Sequence, residues 1–203
     1  MTTPSISPKI TLCTALFKFG HYFKKVFPDN FNKVLSGYPN INFSICIFGG
    51  DDDTEKWLKD SYGGHIGDRI TLIVQDNEFF RMSEAKNIAH FGATGDFLMN
   101  CDGDNILTKD YLEDLICEVE ENANQRVVIR PKTRIRGRVG MFKADFEKLG
   151  GYNAAIGHYW SDDRDLYNRA KADGLKTVLL GYKYGMERLD NSAEQHINYE
   201  PRK

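Results

Sequence analysis

The chain alternates short apolar runs with amphipathic stretches, and that alternation confines it to one broad kind of fold. Ile10–Phe17, Asn42–Phe48, Ile70–Val74, Asp96–Cys101, Arg126–Ile129 and Thr177–Tyr182 are short and rich in β-branched or other apolar residues. Most end at Gly, Pro or Asp, which is the pattern of strands buried inside a sheet. Between them Phe23–Leu35, Thr54–Tyr62, Ser83–Phe91, Thr108–Asn122, Lys143–Leu149 and Asp163–Ala172 carry helical spacing. Thr54 and Ser83 are expected N-caps, Gly150-Gly151 and Gly174 are expected stops, and Pro28 is expected to interrupt the first helix. Strand and helix in this order predict an α/β fold, a mostly parallel mixed sheet flanked by helices on both faces. Such sheets bind ligands at the carboxyl ends of their strands, beside a topological switch point. The chemistry is therefore expected at Thr14–Phe17, Gly49–Asp53, Gln75–Asn77 and Asp102–Asp104.

Composition narrows the classes. A chain of 203 residues suits a single domain with a core of its own, and neither a repeat nor a linker divides it. The balance of 27 basic and 29 acidic residues gives a net charge of −2, against the basic excess of a nucleic-acid binder. No run reaches the length of a membrane span. Of the four cysteines, Cys13, Cys46 and Cys101 lie in strand-like runs, and none, Cys117 included, forms a CxxC or zinc-type spacing. Buried reduced thiols and a cytoplasmic location are expected. Lys9 followed by Ile10–Phe17 imitates a secretion signal, but it carries Thr11 and Thr14 and lacks a small-residue cleavage site.

The most informative stretch is Phe97-Leu98-Met99-Asn100-Cys101-Asp102-Gly103-Asp104. Two carboxylates one residue apart, at the end of a buried strand, repel unless a cation sits between them. Hard divalent ions favour such oxygen ligands together with substrate phosphates. Arg130, Lys132, Arg134, Arg136 and Arg138 recur at every second position. In an extended segment they form one basic face, either a charged edge strand or an arm for an anionic ligand.

With these residues in hand, the chain resembles glycosyltransferase family 2 and its GT-A relatives. The resemblance rests on Gln75-Asp76-Asn77, Ala85-Lys86-Asn87 and Gly95 through Asp104, followed by Gly140-Met141-Phe142, Leu149-Gly150-Gly151-Tyr152 and Trp160-Ser161-Asp162-Asp163-Arg164-Asp165-Leu166 with Arg169 and Gly174. These segments run in the family's order across roughly residues 8 to 185. The chain departs from the family at Gly49-Gly50-Asp51-Asp52-Asp53, where relatives carry a run such as Val-Asp-Asp-Gly-Ser. It departs again at Asp162-Asp163, where they carry Glu-Asp.

The resemblance implies a single GT-A (Rossmann-like) domain, with a nucleotide-binding half at about 8–107, an acceptor-binding half at about 108–185 and a tail at 186–203. It implies a metal-dependent transferase moving sugar from a nucleotide-diphosphate donor, UDP-linked by family habit, to a hydroxyl of a glycan or glycoconjugate. Asp104 would ligate Mn²⁺ or Mg²⁺, and Asp102 would hold the ribose or reach the metal through water. The third ligand would be His196 or Glu187. Thr14 and Phe17 would line the base pocket, Asp51, Asp52 or Asp76 would meet the nucleobase, and Lys86 or Arg81 would face the nucleotide. Asp163 would be the general base, inverting the anomeric centre, with Asp162 gripping the acceptor. In a retaining enzyme Asp163 would orient substrate instead. His158, Tyr159 and Trp160 would stack on the acceptor sugar.

Other functions remain to be separated from this one. A haloacid-dehalogenase-type phosphatase also places Asp-x-Asp after a strand, but it carries Thr or Val where Ile106 stands and starts from an earlier strand. A sugar nucleotidyltransferase wants a Gly-rich, Arg-containing loop after the first strand, unlike Leu16-Phe17-Lys18-Phe19-Gly20. A non-catalytic nucleotide-sugar or glycan-binding module would keep the fold without turnover. One module of a longer polypeptide is an expectation as well, and nothing in the sequence signals an oligomer.

Overall fold

A computed structural model of the chain describes residues 7–49, 53–132, 138–156, 161–181 and 187–188. Seven strands form one sheet: β1 (Ile10–Leu16), β2 (Ile41–Ile47), β3 (Ile70–Val74), β4 (Phe97–Asn100), β6 (Val127–Pro131), β7 (Gly140–Phe142) and β8 (Lys176–Leu180). β5 (Asn105–Ile106) and β9 (Glu187–Arg188) form a separate antiparallel pair. The large sheet runs β3-β2-β1-β4-β7-β6-β8. Only β7 lies antiparallel to its neighbours, so the sheet is mixed and mostly parallel. From β1 the chain builds outward to β2 and β3 on one side, then crosses to place β4 on the other. That reversal opens a crevice at the carboxyl ends of β1 and β4.

The period-two alternation of the strands sorts the core into two layers. Ile10, Leu12 and Leu16 of β1, Phe43 and Ile45 of β2, and Phe97 and Met99 of β4 point to one face. There they meet α1 (Gly20–Gly37), α2 (Thr54–Tyr62) and α4 (Lys109–Glu121) through Phe23, Phe27, Phe31, Leu58, Leu112 and Leu115. Cys13, Cys46, Leu98, Val128 and Met141 point the other way. They pack on α3 (Met82–Phe91), α5 (Lys143–Lys148) and α6 (Asp162–Ala172). Polar residues on this second face are tied in place: Thr11 donates to Asn42 (2.5 Å), Asn42 to Thr94 (2.9 Å) and Ser44 to the Ala89 carbonyl (2.6 Å). Cys13, Cys46 and Cys101 are buried free thiols, and Cys117 is exposed.

Several local expectations are corrected. Pro28 lies inside α1 and does not interrupt it. The missing N–H forfeits one helical bond, whereas Phe23, Phe27, Phe31 and Val34 bury a continuous stripe, each worth about 1.5–3 kcal/mol. Thr54 and Ser83 are not caps. Asp53, with φ +54°, precedes α2, and its carboxylate pairs with Lys24. Arg81 precedes α3 and leaves Ser83 buried inside the helix. Thr108 does cap α4, accepting from the Tyr111 N–H at 3.2 Å. The strand that holds Arg130 is not an edge strand. β6 lies between β7 and β8, Arg130 is exposed over the Tyr167 ring, and Arg138 is buried at 1% exposure. Arg134 and Arg136 lie outside the described residues. Among the described residues, no helix is long and apolar enough to cross a membrane.

Candidate functional site

The crevice receives the turn that follows β4. Cys101 extends the strand, its N–H bonding the Cys13 carbonyl at 2.8 Å, and the chain then reverses with Asn105 N–H bonding the Asp102 carbonyl at 3.0 Å. Gly103 stands where the turn presses on β1. A methyl group there would come 2.5 Å from Leu16 Cδ2, so a side chain would displace the turn or the core. Asn105 anchors the two acids. Its Oδ1 accepts from the Asp102 N–H (2.9 Å) and from Arg138 Nε (2.8 Å), and its Nδ2 donates to Asp104 Oδ1 (2.9 Å). Asn100 Nδ2 donates to Asp102 Oδ1 at 3.0 Å. From α1, Asn30 donates to the Asn105 carbonyl (2.7 Å) and accepts from the Leu107 N–H (2.8 Å), locking the turn to the helix. Asp104 is buried and Asp102 half-buried.

A second acidic pair is built at the start of α6. Asp162 and Asp163 occupy its first two positions, where the positive helix end favours carboxylates. Opposite them α3 presents Lys86, 4% exposed. Its Nζ donates to Asp162 Oδ2 at 2.8 Å and to Asp163 Oδ1 and Oδ2 at 3.0 and 2.9 Å. Burial alone would lower the Lys86 ammonium pKa, but Asp163 and Asp162 outweigh it and hold it well above its usual value. Burial pushes the Asp163 carboxyl up to about 6, with Lys86 opposing and Asp162 and Asp102 reinforcing the rise. The field of Asp102 is therefore felt at Asp163, Lys86 and Tyr152, which links the two acidic pairs across the crevice.

The residues around Lys86 explain the neighbouring motif positions. Asn87 clamps Tyr152 from both sides, donating to its carbonyl (2.8 Å) and accepting from its N–H (2.7 Å). Gly151 adopts φ +70°, and a Cβ there would strike Asn87 Oδ1. Arg169 of α6 donates to the Leu149 and Gly151 carbonyls at 2.9 and 2.7 Å and pairs with Asp165 at 2.7 Å. His90, driven down to about 3 mainly by burial, stays neutral and stacks on Phe146.

The other expected site residues are placed as follows. Thr14 is buried at the end of β1, its hydroxyl donating to the Cys101 carbonyl at 2.8 Å. Phe17 is buried and stacked on Phe80 at 5.5 Å. Asp76 is exposed beyond β3. Arg81 is exposed, bonded to Asn77 (3.1 Å) and paired with Glu84 (3.0 Å), and it lies over Phe48. Asp51, Asp52, His158, Tyr159, Trp160 and His196 lie outside the described residues. Glu187 is described in its backbone alone, which pairs with Ile106 two residues past Asp104. Asn105, Asn30 and Tyr152 carry much of the site and were not singled out as functional residues. The visible signals are Asn105 directly after Asp104 and Tyr152 at the end of the Leu149-Gly150-Gly151-Tyr152 segment.

The turn fits a divalent cation by the chemistry of its donors. Asp102 and Asp104 offer hard carboxylate oxygens one residue apart, and side-chain amides orient both. Among the described residues no group of three potential ligands assembles.

The model for glycosyl transferase family 2 matches residues 24–185. EpsE of Bacillus subtilis strain 168, which is named as a glycosyltransferase, is 26% identical over 122 residues, or 60% of this chain and 42% of EpsE. Among solved structures, the mannosyltransferase PcManGT from Pyrobaculum calidifontis, in complex with GDP-Man and Mn²⁺, superposes with a TM-score of 0.69 at 16% identity. It covers 87% of this chain and 55% of its own. TarS 1–349 of S. aureus gives 0.67 at 14% identity, covering 87% and 59%. The chain spans about half the length of the relatives it matches. The structural likeness assigns the GT-A fold, in agreement with the sheet described above.

Proposed function

The chain belongs to glycosyl transferase family 2, and from that premise we propose that it moves a sugar from a nucleotide-diphosphate donor to a hydroxyl of a glycan or glycoconjugate, with a divalent metal. Membership sets aside the phosphatase and nucleotidyltransferase readings. The carrying observation is the meeting, at one switch point, of the Asp102-Gly103-Asp104 turn with the buried Lys86–Asp162–Asp163 cluster. The first suits a diphosphate–metal pair and the second suits proton abstraction.

Asp104 and Asp102 are the residues that would hold Mn²⁺ or Mg²⁺, with Asp102 also within the class of ribose-binding acids and His196 or Glu187 as the third ligand. When bound, the metal supplies charge neutralisation to the departing diphosphate. Thr14, Phe17, Asp76, Arg81 and Asp51 belong to the nucleotide side by position along the strand ends. Asp163 is the base, because a sugar hydroxyl attacks poorly until its proton is removed, and a carboxyl near 6 accepts a proton at neutral pH. Asp162 grips the acceptor, its Oδ1 having no hydrogen-bond partner among the described residues. Attack from the base side displaces the diphosphate in line and inverts the anomeric centre. UDP is the favoured nucleotide, and the GDP-Man in PcManGT makes GDP the first alternative.

The test is a screen of UDP- and GDP-sugars for hydrolysis and transfer with Mn²⁺ present. Turnover with one donor, abolished in Asp104→Ala, supports the reading. Donor binding without turnover across the screen would instead favour a non-catalytic module.

A further inference from the structure

Lys86 is the buried cation beside Asp162 and Asp163, and its surroundings are more specific than those of a nucleotide-facing residue. A lysine ammonium carries three N–H donors, and the three hydrogen bonds of Lys86 all go to Asp162 and Asp163. The side chain lies over the Tyr152 ring at 5.1 Å and is buried with both acids. Moving Nζ to a phosphate would leave two adjacent carboxylates in a dry site without their counter-ion, which is strongly unfavourable. The backbone holds it in turn. The Lys86 carbonyl meets His90 Nδ1 at 2.7 Å, and Asn87 clamps Tyr152.

We propose that Lys86 is the positioning residue of the base: it pins Asp162 and Asp163 as one buried carboxylate pair and sets the pH range in which Asp163 accepts a proton, without contacting the nucleotide. The inference rests on the reading of Asp163 as base. The groups that face Asp163 are Lys86 from α3, Asp162 beside it on α6, Asp102 after β4, and the Tyr152 phenol from the segment before α6. Among the described residues that face Asp163, only Lys86 is cationic, and it opposes the rise that burial and the two neighbouring acids impose.

The experiment is a carboxyl ¹³C NMR titration of the aspartates in the full chain, with Asp163 assigned through Asp163→Asn. It is run on wild type, Lys86→Met and Lys86→Arg beside calorimetry of UDP with Mn²⁺. Lys86→Met is expected to move the Asp163 midpoint up by about one to three pH units. Lys86→Arg is expected to restore most of that shift, and UDP affinity is expected to stay within about threefold in both. An unmoved midpoint together with a tenfold or greater loss of UDP affinity would make Lys86 a nucleotide ligand and overturn the proposal. Should Lys86→Met not fold, wild type still decides: the Lys86 ¹⁵Nζ resonance must inflect at the Asp163 midpoint, and its silence contradicts the pairing. If wild type binds neither UDP nor GDP while the midpoint still moves with Lys86, the donor reading fails and the role of Lys86 stands.

Discussion

At the scale of the residue, the decisive feature is a carboxyl kept from full ionisation by burial yet held beside a lysine. Asp163→Asn is expected to lower turnover by about 10²–10⁴-fold with little change in nucleotide affinity, measured by initial rates beside calorimetry. The kcat/KM of wild type is expected to fall as pH drops through about 6, where Asp163 takes up its proton. Stability moves in the opposite sense. The folded chain keeps this proton up to about 6, whereas an unfolded aspartate releases it near about 3.9. The contribution is therefore full at low pH and lost as pH rises between those values. Wild type should lose stability relative to Asp163→Asn over that window, as read by denaturant unfolding at several pH values.

The sequence made the acids visible because Asp-x-Asp after a strand and Asp-Asp before a helix are local patterns. It did not reveal that Lys86 spends its charge on Asp162 and Asp163. That pairing joins positions 76 and 77 residues apart, and no local spacing encodes it. Asn30 escaped notice for the same reason, since it reaches Asn105 from α1 across 75 residues.

At the scale of the element, the turn after β4 and the first turn of α6 do the positioning. Asn105→Ala would remove the hydrogen-bond acceptor shared by Arg138 Nε and the Asp102 N–H. We expect about 1–3 kcal/mol of lost stability, and a Mn²⁺ affinity weakened about 10–100-fold, by analogy with other outer-shell partners. Calorimetric Mn²⁺ titration and thermal melts would check both. Gly151→Ala is expected to cost at least about 1–2 kcal/mol, because a Cβ meets both the left-handed backbone and the Asn87 side chain that clamps Tyr152. The long apolar strands and the stripe of α4 were legible because burial on both faces leaves a continuous signal. β5 and β9 were not, being two residues each and paired outside the large sheet. Helix starts were misjudged where a tertiary contact took the capping group, as Lys24 takes Asp53 before α2.

At the scale of the whole molecule, strand order turns these parts into a site. β4 returns beside β1 on the side away from β2, so the crevice forms where the Asp-x-Asp turn emerges, and β7 enters antiparallel beside β4. The alternation of strands and helices made the α/β class legible, but the place of β7 between β4 and β6 depends on pairing that sequence periodicity does not carry. Far from the crevice, Arg126 bridges Asp145 at 2.7 Å and Asp173, and Lys148 joins Asp173 at 2.8 Å, tying α5 to the end of α6.

The central claim is that the crevice binds a nucleotide diphosphate through a metal held by Asp102 and Asp104, and calorimetric titration of UDP, repeated with GDP, tests it most directly. Micromolar binding in Mn²⁺, abolished by EDTA and by Asp104→Ala, is the predicted result. Equal binding under all three conditions, or none with either nucleotide, would contradict it.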